Sequence, residues 1–537
     1  MSLERLPAGD RMTREAGRAS GRGAVLVAAG ILASRIAGLI RQRVFAHYFG
    51  TTFVADAFSQ AFRIPNLLQN LFGEGVLSAS FIPVYSGLRA RGDDLERERV
   101  ASAVFWLLAM ACGVVVAIGI GAAPWLTRAI APGFTGYKLQ LTTQLVRILF
   151  PGSALLVLSA WSLGIQNSHG RFFLSYASAI VWNVAMIGTL VLAGPRVQLP
   201  ELAVWLAWGS VVGAALQLIA QLPVVLALLG TFRVTLARGS PHVRTILRNF
   251  GPAFIGRGVA QFSAFVDAMI ASLLVDGAVA TLNYAQLLYL LPISLFGMSI
   301  SAAELPAMSS VRAVSDDAAG ILRERLRVNL SRMAYFVVPS AAAFVGLGDL
   351  LARIVYQTGR FDAEDARWVW VCLGGSAVGL VAATFGRLLS STFYALHDTR
   401  TPLRYAIVRV TLTVSLGLVS ALWLPGVLRL DPRWGVAGLT ASAGAAAWVE
   451  FALLRRALQS RIGAVSLDAA RLPALWACAA LAAGLAWIPR LTVGASPIGQ
   501  AAVAIVIFGS SYLTLTHLAG FAFARSVWDR LRRRQSA

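Results

Sequence analysis

The sequence predicts an all-α polytopic membrane protein of about fourteen transmembrane helices, built as two six-helix lobes related by a parallel internal repeat plus two extra C-terminal helices. Three observations carry that prediction. Hydrophobic residues make up 57% of the 537 and charged residues 13%, against about 25% charged in soluble domains, so most of the surface faces lipid. Apolar stretches of the roughly 20 residues needed to cross a hydrocarbon core recur along almost the whole chain, leaving no room for a sizeable soluble domain. The two halves also echo each other at a fixed offset.

Residues 1–24 are polar and basic, without an apolar signal core, and read as a cytoplasmic tail that precedes a retained first span. The first lobe, 25–230, contains spans at 25–45, 54–87, 100–126, 141–165, 175–194 and 202–230. The second, 248–455, contains spans at 248–275, 279–308, 332–357, 369–395, 404–424 and 434–454. Two additional spans follow within 472–523, at 472–489 and 498–523, before a basic tail over 524–537. An even number of spans places both termini on one side. By count, roughly thirty Lys/Arg fall on that side and roughly eight on the other, which the positive-inside rule reads as cytoplasmic termini in a bacterial inner membrane.

The net charge of +22 follows from those loops rather than from a nucleic-acid surface. Cys112, Cys372 and Cys478 sit inside apolar runs without disulfide or metal-ligand spacing. The one lysine, Lys138, follows Tyr137, so the chain has no P-loop and no nucleotide-driven transport of its own. The five histidines are scattered near loops and span ends, which excludes a metal centre. No cofactor is expected.

The repeat has an offset of about 225–230 residues, the signature of parallel-repeat transporters. Leu71-Phe72-Gly73 is echoed by Leu295-Phe296-Gly297, each followed by a proline, Pro83 or Pro306. Leu126-Thr127-Arg128 matches Leu351-Ala352-Arg353. Arg171, Leu174, Tyr176 and Ala177 match Arg400, Leu403, Tyr405 and Ala406 with identical spacing.

Charges within the spans mark the candidate site. A charge facing lipid at the centre of a span costs about 2.5–3.5 kcal/mol, so such residues face a cavity or a partner. Arg147, Arg353 and Glu450 lie where snorkelling to an interface accounts for them. The first two spans differ. Arg35, Arg41, Asp56, Arg63 and Glu74 crowd into forty residues interrupted by Gly38, Gly50, Pro65, Gly73, Gly75 and Pro83. Irregular helix of this kind is tolerated at membrane depth where it lines a cavity. Guanidinium groups grip phosphate bidentately, which suits an anionic, phosphate-bearing substrate. The alternative is a buried ion-pair network of Arg35 or Arg41 with Asp56 or Glu74. Between the eighth and ninth spans, residues 316–333 place Leu322, Leu326, Leu330 and Met333 at helical spacing beside Arg323, Arg325, Arg327 and Arg332. This reads as an amphipathic helix on the cytoplasmic leaflet, with a solvated charged loop as the alternative.

The stretch from Ser34 to Tyr85 carries SR-x-x-G-x-x-R, DAF-x-x-AF-x-x-PNLL and FGEG followed by F-x-P, and it resembles the MurJ/MviN lipid II flippases of the multidrug/oligosaccharidyl-lipid/polysaccharide exporter superfamily. APGF at 131–134, GPAF at 251–254, LFGMS at 295–299, ELP at 304–306 and FYALHDTRTP at 393–402 extend the resemblance over essentially 25–525. It implies alternating access that moves lipid II, an undecaprenyl-pyrophosphate-linked saccharide-peptide, to the periplasmic leaflet for cell-wall synthesis. It also implies an inward-open cavity between the lobes for the headgroup and a groove for the polyprenyl tail at the two C-terminal spans. The positions matching the family's functional residues are Arg35, Arg41, Asp56, Asn66 and Glu74. The chain departs from the family at Gln69, Asn70 and Leu287; Arg257 is the residue expected to replace the cavity arginine missing at Leu287. A monomer is expected, with membrane lipids and cell-wall or division proteins as partners. The competing readings are a related exporter of another lipid-linked oligosaccharide or drug, and an integral-membrane glycosyltransferase.

Some family members are understood to bind sodium in the second lobe, and Asp267 and Thr440 match two of those positions. The eleventh span offers Arg409 in place of Asn or Asp. Arginine has no oxygen to give a cation, so Arg409 is expected to act as a built-in cation paired with Asp267. In the alternative, Arg409 points into the central cavity and binds substrate.

Overall fold

A computed structural model describes residues 30, 32–237, 239–314, 318–465, 471–489 and 497–525. The expected N-terminal tail, the start of the first span and most of the basic C-terminal tail lie outside the described residues. The described part is helical, with a lone bridge between Thr358 and Phe361. Among the described residues, ten helical stretches are long and apolar enough to cross a membrane. The other four expected spans fall on 32–49, Phe172–Ala193, Pro241–Ser272 and Arg471–Leu485. The outer faces are apolar: Ile118, Leu192, Ile219 and Val506 each expose more than half of their surface, as expected where lipid is the solvent.

By backbone contacts the chain divides into Met1–Phe49 with Phe53–Phe265, and Gly50–Thr52 with Val266–Ala537. In the first unit, α1 covers 32–49. The second span is broken into four short helices, α2 (Phe53–Ala61), α3 (Arg63–Phe72), α4 (Glu74–Ser80) and α5 (Ile82–Ala90). The breaks follow the Gly and Pro residues noted above. A Cβ on Gly73 would run into the carbonyl oxygen of Gln69, so this bend admits only glycine. Pro83 enters α5 at its first turn, where its missing N–H costs nothing. Then come α6 (Asp94–Ile130), α7 (Gly136–Ser168), α8 (Phe172–Ala193) and α9 (Leu199–Leu229), followed by α10 (Pro241–Ser272), inside which the division falls. Helix α7 is the hub, packed on α6, α9 and the broken span. Its Trp161 is fully buried and donates Nε1–H to the Ala101 carbonyl at 3.2 Å.

The second unit starts with α11 (Ala278–Pro292), a π-helical turn at Ile293–Met298 and α12 (Ser299–Val314). Helices α13 (Ala318–Tyr356), α14 (Ala363–Ala395) and α15 (Arg400–Leu418) follow, then a second π-turn (Val419–Trp423) with the short α16 (Leu424–Val427). Helix α17 (Trp434–Ile462) packs on α14 and α15. Gly379 and Gly444 meet where α14 crosses α17; a Cβ on Gly444 would lie 2.7 Å from the Gly379 nitrogen. Small residues of this kind let two membrane helices approach backbone to backbone. The last two helices, α18 (Arg471–Leu485) and α19 (Pro497–Leu518), dock on α13 and on each other. Pro339 inside α13 has no N–H to give, so the Tyr335 carbonyl loses its helical partner. Tyr512 of α19 donates its hydroxyl to that carbonyl at 2.7 Å, while the Tyr335 hydroxyl meets Thr516 at 3.1 Å.

One expectation is corrected here. Residues 318–333 are the first part of α13 rather than a separate surface helix. Leu322, Leu326, Leu330 and Met333 are each at most 2% exposed, buried in protein instead of lipid. Arg325 pairs with Glu304 at 3.0 Å. The amphipathic pattern was real, but its apolar face is part of the core. Residues 316 and 317 lie outside the described set.

Candidate functional site

Arg41 stands eight residues before the end of α1, about 12 Å from that end at 1.5 Å per residue, and so well inside the span. Its guanidinium carbon lies 5.0 Å from the centroid of the Trp182 ring and 5.6 Å from that of Phe62. The two rings stack at 5.6 Å and 10°. Met186 Sδ accepts from Nη1 at 3.9 Å. Among the described residues no carboxylate pairs with Arg41. Helix α8 thus holds the charge by cation–π and thioether contacts. Arg35 is exposed six residues earlier, and Arg63 and Asn66 are part-buried on α3. The side chains of Glu74 and Arg257 lie outside the described residues.

Asp56 is held by the chain's lysine. It is 1% exposed, and Lys138 Nζ sits 2.7 Å from its Oδ2. The ammonium also lies 4.1 Å from the Phe134 ring centroid. The chain's one lysine therefore closes α7 onto α2. A lone lysine at the head of an apolar span was the available signal. A polar seam inside the first unit was also missed: Gln217 donates to Ser159 Oγ at 2.9 Å and Gln221 to Ser178 Oγ at 2.5 Å. The i, i+4 glutamines in an otherwise apolar helix are its sequence trace.

In the second unit, Arg409 takes a different carboxylate from the one expected. Its Nη1 lies 3.2 Å from Glu450 Oε2 on α17, in place of the predicted pairing with Asp267. Glu450, read as a snorkelling residue, is that partner. Arg387 and Tyr289 lie near enough to feel this cluster electrostatically, and Asp267 acts on Tyr289 as well. Thr440 donates to the Cys372 carbonyl at 3.0 Å and to that of Ala437 at 3.1 Å, which ties α17 to α14. No group of three or more metal-binding side chains occurs among the described residues.

The repeat-related turns beyond the spans are braced differently. His169 Nε2 meets the Tyr85 hydroxyl at 3.0 Å. Partial burial lowers the His169 pKa below its ordinary value, and Arg89 and Arg97 lower it further. Asp398 accepts from the backbone N–H of Thr401 and the Thr401 hydroxyl, and from Arg461 Nη2 at 2.6 Å; these hold its carboxyl below the usual range.

An α-helical chain with apolar outer faces, a broken second span and arginines held at membrane depth is a polytopic transporter, not an enzyme. Residues 45–499 match the family model described as "Lipid II flippase MurJ". The chain belongs to that family. A Burkholderia cenocepacia protein named lipid II flippase MurJ is 32% identical over 80% of this chain and 82% of its own length. A Bdellovibrio bacteriovorus protein named probable lipid II flippase MurJ is 31% identical over 84% and 85%. The fold is similar to a solved "Lipid II flippase MurJ, inward closed conformation", at TM-score 0.75 and 22% identity over 94% of this chain and 99% of that one. An inward-facing multidrug transporter of the MATE family, in the MOP superfamily, shares the fold at TM-score 0.64 and 17% identity, over 80% and 95%.

Proposed function

We propose that this chain flips lipid II from the cytoplasmic to the periplasmic leaflet of a bacterial inner membrane, with both termini in the cytoplasm. The observation that carries the reading is Arg41, a cation at membrane depth held by Trp182 and Phe62 with no carboxylate paired to it among the described residues. Membership of a family whose relatives are named lipid II flippases supplies the substrate class. A pyrophosphate accepts paired hydrogen bonds from guanidinium groups. Arg35, Arg41, Arg63, Asn66, Glu74 and Arg257 are the residues assigned to the headgroup.

The drive assigned here is the membrane potential. Moving one negative charge outward down an inside-negative potential of about 100 mV releases about 2.3 kcal/mol. Sodium is not required in this reading, since Arg409 fills the place of an oxygen ligand. The protein acts as a monomer beside cell-wall synthesis and division proteins. The test is reconstitution in proteoliposomes with lipid II and with a lipid-linked oligosaccharide lacking the peptide, paired with rescue of a flippase-depleted bacterium. Selective flipping of lipid II with rescue is the expected result. Equal movement of both lipids without rescue would show a broader exporter.

A further inference from the structure

We infer that ordered water is bound inside the first unit, between α7, α8 and α9, and that it positions the helix that holds Arg41. The side chains concerned are Ser159, Ser162 and Gln166 on α7, Ser178 on α8, and Gln217 and Gln221 on α9. Each is at most 7% exposed, and Ser162, Gln166 and Gln221 are fully buried. The direct bonds of Gln217 to Ser159 and of Gln221 to Ser178 use only the amide nitrogens. Five polar atoms are left without a hydrogen-bond partner among the described residues: Ser162 Oγ, Oε1 and Nε2 of Gln166, Gln217 Oε1 and Gln221 Oε1.

Helix geometry brings these atoms into one seam. Helices α7 and α9 run in the same direction, and Gln217 meets Ser159 just as Val211 faces Gly152 two turns nearer the helix starts. The same register sets Gln221 beside Ser162, with Gln166 one turn further along α7. Turning an amide over only exchanges an orphaned oxygen for an orphaned nitrogen. Neighbours such as Val157, Ile165 and Val225 are at most 1% exposed, so bulk solvent does not serve these groups. In such surroundings the partner is a bound molecule. Its chemistry follows from what it must supply. The oxygens need donors, whereas Gln166 Nε2 needs an acceptor. A cation would serve the oxygens but not the N–H, and none of the six side chains is a carboxylate to balance its charge. Water donates and accepts. About two molecules supply the four donors that the oxygens require and receive the N–H of Gln166 and the O–H of Ser162.

The seam lies beside the support of Arg41. Ser178 stands one turn before Trp182 on α8. The Trp182 indole donates to the Ser210 carbonyl of α9 at 3.1 Å, and its ring faces Arg41 at 5.0 Å. The Gln221–Ser178 bond joins α8 to α9, and the water adds α7 through Ser162 and Gln166. The turn of α8 that presents Trp182 and Met186 is thus fixed from two helices at once. This holds whatever cargo the protein carries, so the inference does not rest on the transport reading.

The first experiment is a cryo-electron-microscopy map of the full chain in lipid nanodiscs, at a resolution that shows ordered water. Density within hydrogen-bonding distance of the Gln166, Gln217 and Gln221 amides is expected. A seam closed by direct side-chain bonds, without water, would overturn the inference. Thermal unfolding of Gln166→Leu gives an independent reading. In a dry seam the leucine would remove two orphaned groups and raise Tm; in a hydrated one it strands the other partners of the water and lowers Tm, the expected result. The positioning role is read from fluorine resonances of protein labelled with 5-fluorotryptophan, where Trp182→Phe identifies the Trp182 signal. Gln166 makes no direct side-chain bond to α8, so its effect on that helix travels through the water. Gln166→Leu is expected to shift the Trp182 resonance. Ile165→Val, which trims the packing beside it and keeps every polar group, is expected to leave the resonance in place. A signal unmoved by the first variant, or moved as far by the second, would overturn the positioning role.

Discussion

Deleting Lys138 is expected to harm this protein more than deleting the carboxylate it holds. The two charges lie 2.7 Å apart, with Asp56 1% and Lys138 13% exposed. At an effective dielectric constant of 20, 332/(20 × 2.7) gives an attraction of about 6 kcal/mol, part of which repays the removal of both groups from water. The two single variants break the pair unequally. Lys138→Met leaves a short, buried carboxylate with no route to water, at a cost of about 3–5 kcal/mol. Asp56→Asn leaves an ammonium on a four-carbon stem near the start of α7, which reaches water for about 1–2 kcal/mol. The double variant removes both charges and is expected to recover about 2–3 kcal/mol relative to the sum of the singles. Denaturant unfolding in micelles, followed by tryptophan fluorescence, measures the cycle. Additive single effects would refute the pairing as the source of the stability.

Arg41→Ala is expected to insert normally and to weaken lipid II binding roughly 10- to 150-fold, the worth of one charge-assisted hydrogen bond. Arg41→Lys restores charge but not the ring stacking and is expected to recover only part in a flipping assay. For His169 the folded pKa lies below the unfolded value of 6.5, so excess protons bind the unfolded turn. Its stabilisation is complete above about pH 6.5 and is lost as pH falls further. Hydrogen-exchange protection across 165–173, corrected for the intrinsic pH dependence of exchange, is expected to fall between pH 7 and 5, and His169→Gln to flatten that dependence. Gly379→Ala pushes a methyl into Gly444 and is expected to cost about 1–3 kcal/mol in thermal unfolding, with Ala at the open Gly374 as the silent control. Collapsing the membrane potential at constant pH and sodium is expected to slow flipping in proteoliposomes; an unchanged rate would remove potential as the drive.

The architecture was readable because lipid imposes a length and a composition on every span, and because Gly73 and Pro83 mark where the second span breaks. The site was only partly readable. Arg41 stood out as a charge where hydrocarbon forbids one, but nothing local names Trp182, 141 residues away, as its support. Asp56 and Lys138 are 82 positions apart on different helices, and pairing at that range depends on rotation about two helix axes. Arg409 was assigned Asp267 by analogy of position, while the fold offered Glu450, 41 residues on. The same limit explains 318–333. Helical periodicity reports that a face is buried, without saying whether protein or lipid buries it.

The proline in α13 bears on how the chain is made. Synthesis runs from the N-terminus, so α13 is in the bilayer long before Tyr512 is polymerised. Until then the Tyr335 carbonyl has lost its helical donor and has not met the hydroxyl that replaces it. In a solvent that leaves no backbone group unserved at low cost, that acceptor keeps the nascent bundle open on one side. The helix that carries Tyr512 is the one that closes it. A chain cut short before α19 would leave that carbonyl without the hydroxyl that serves it.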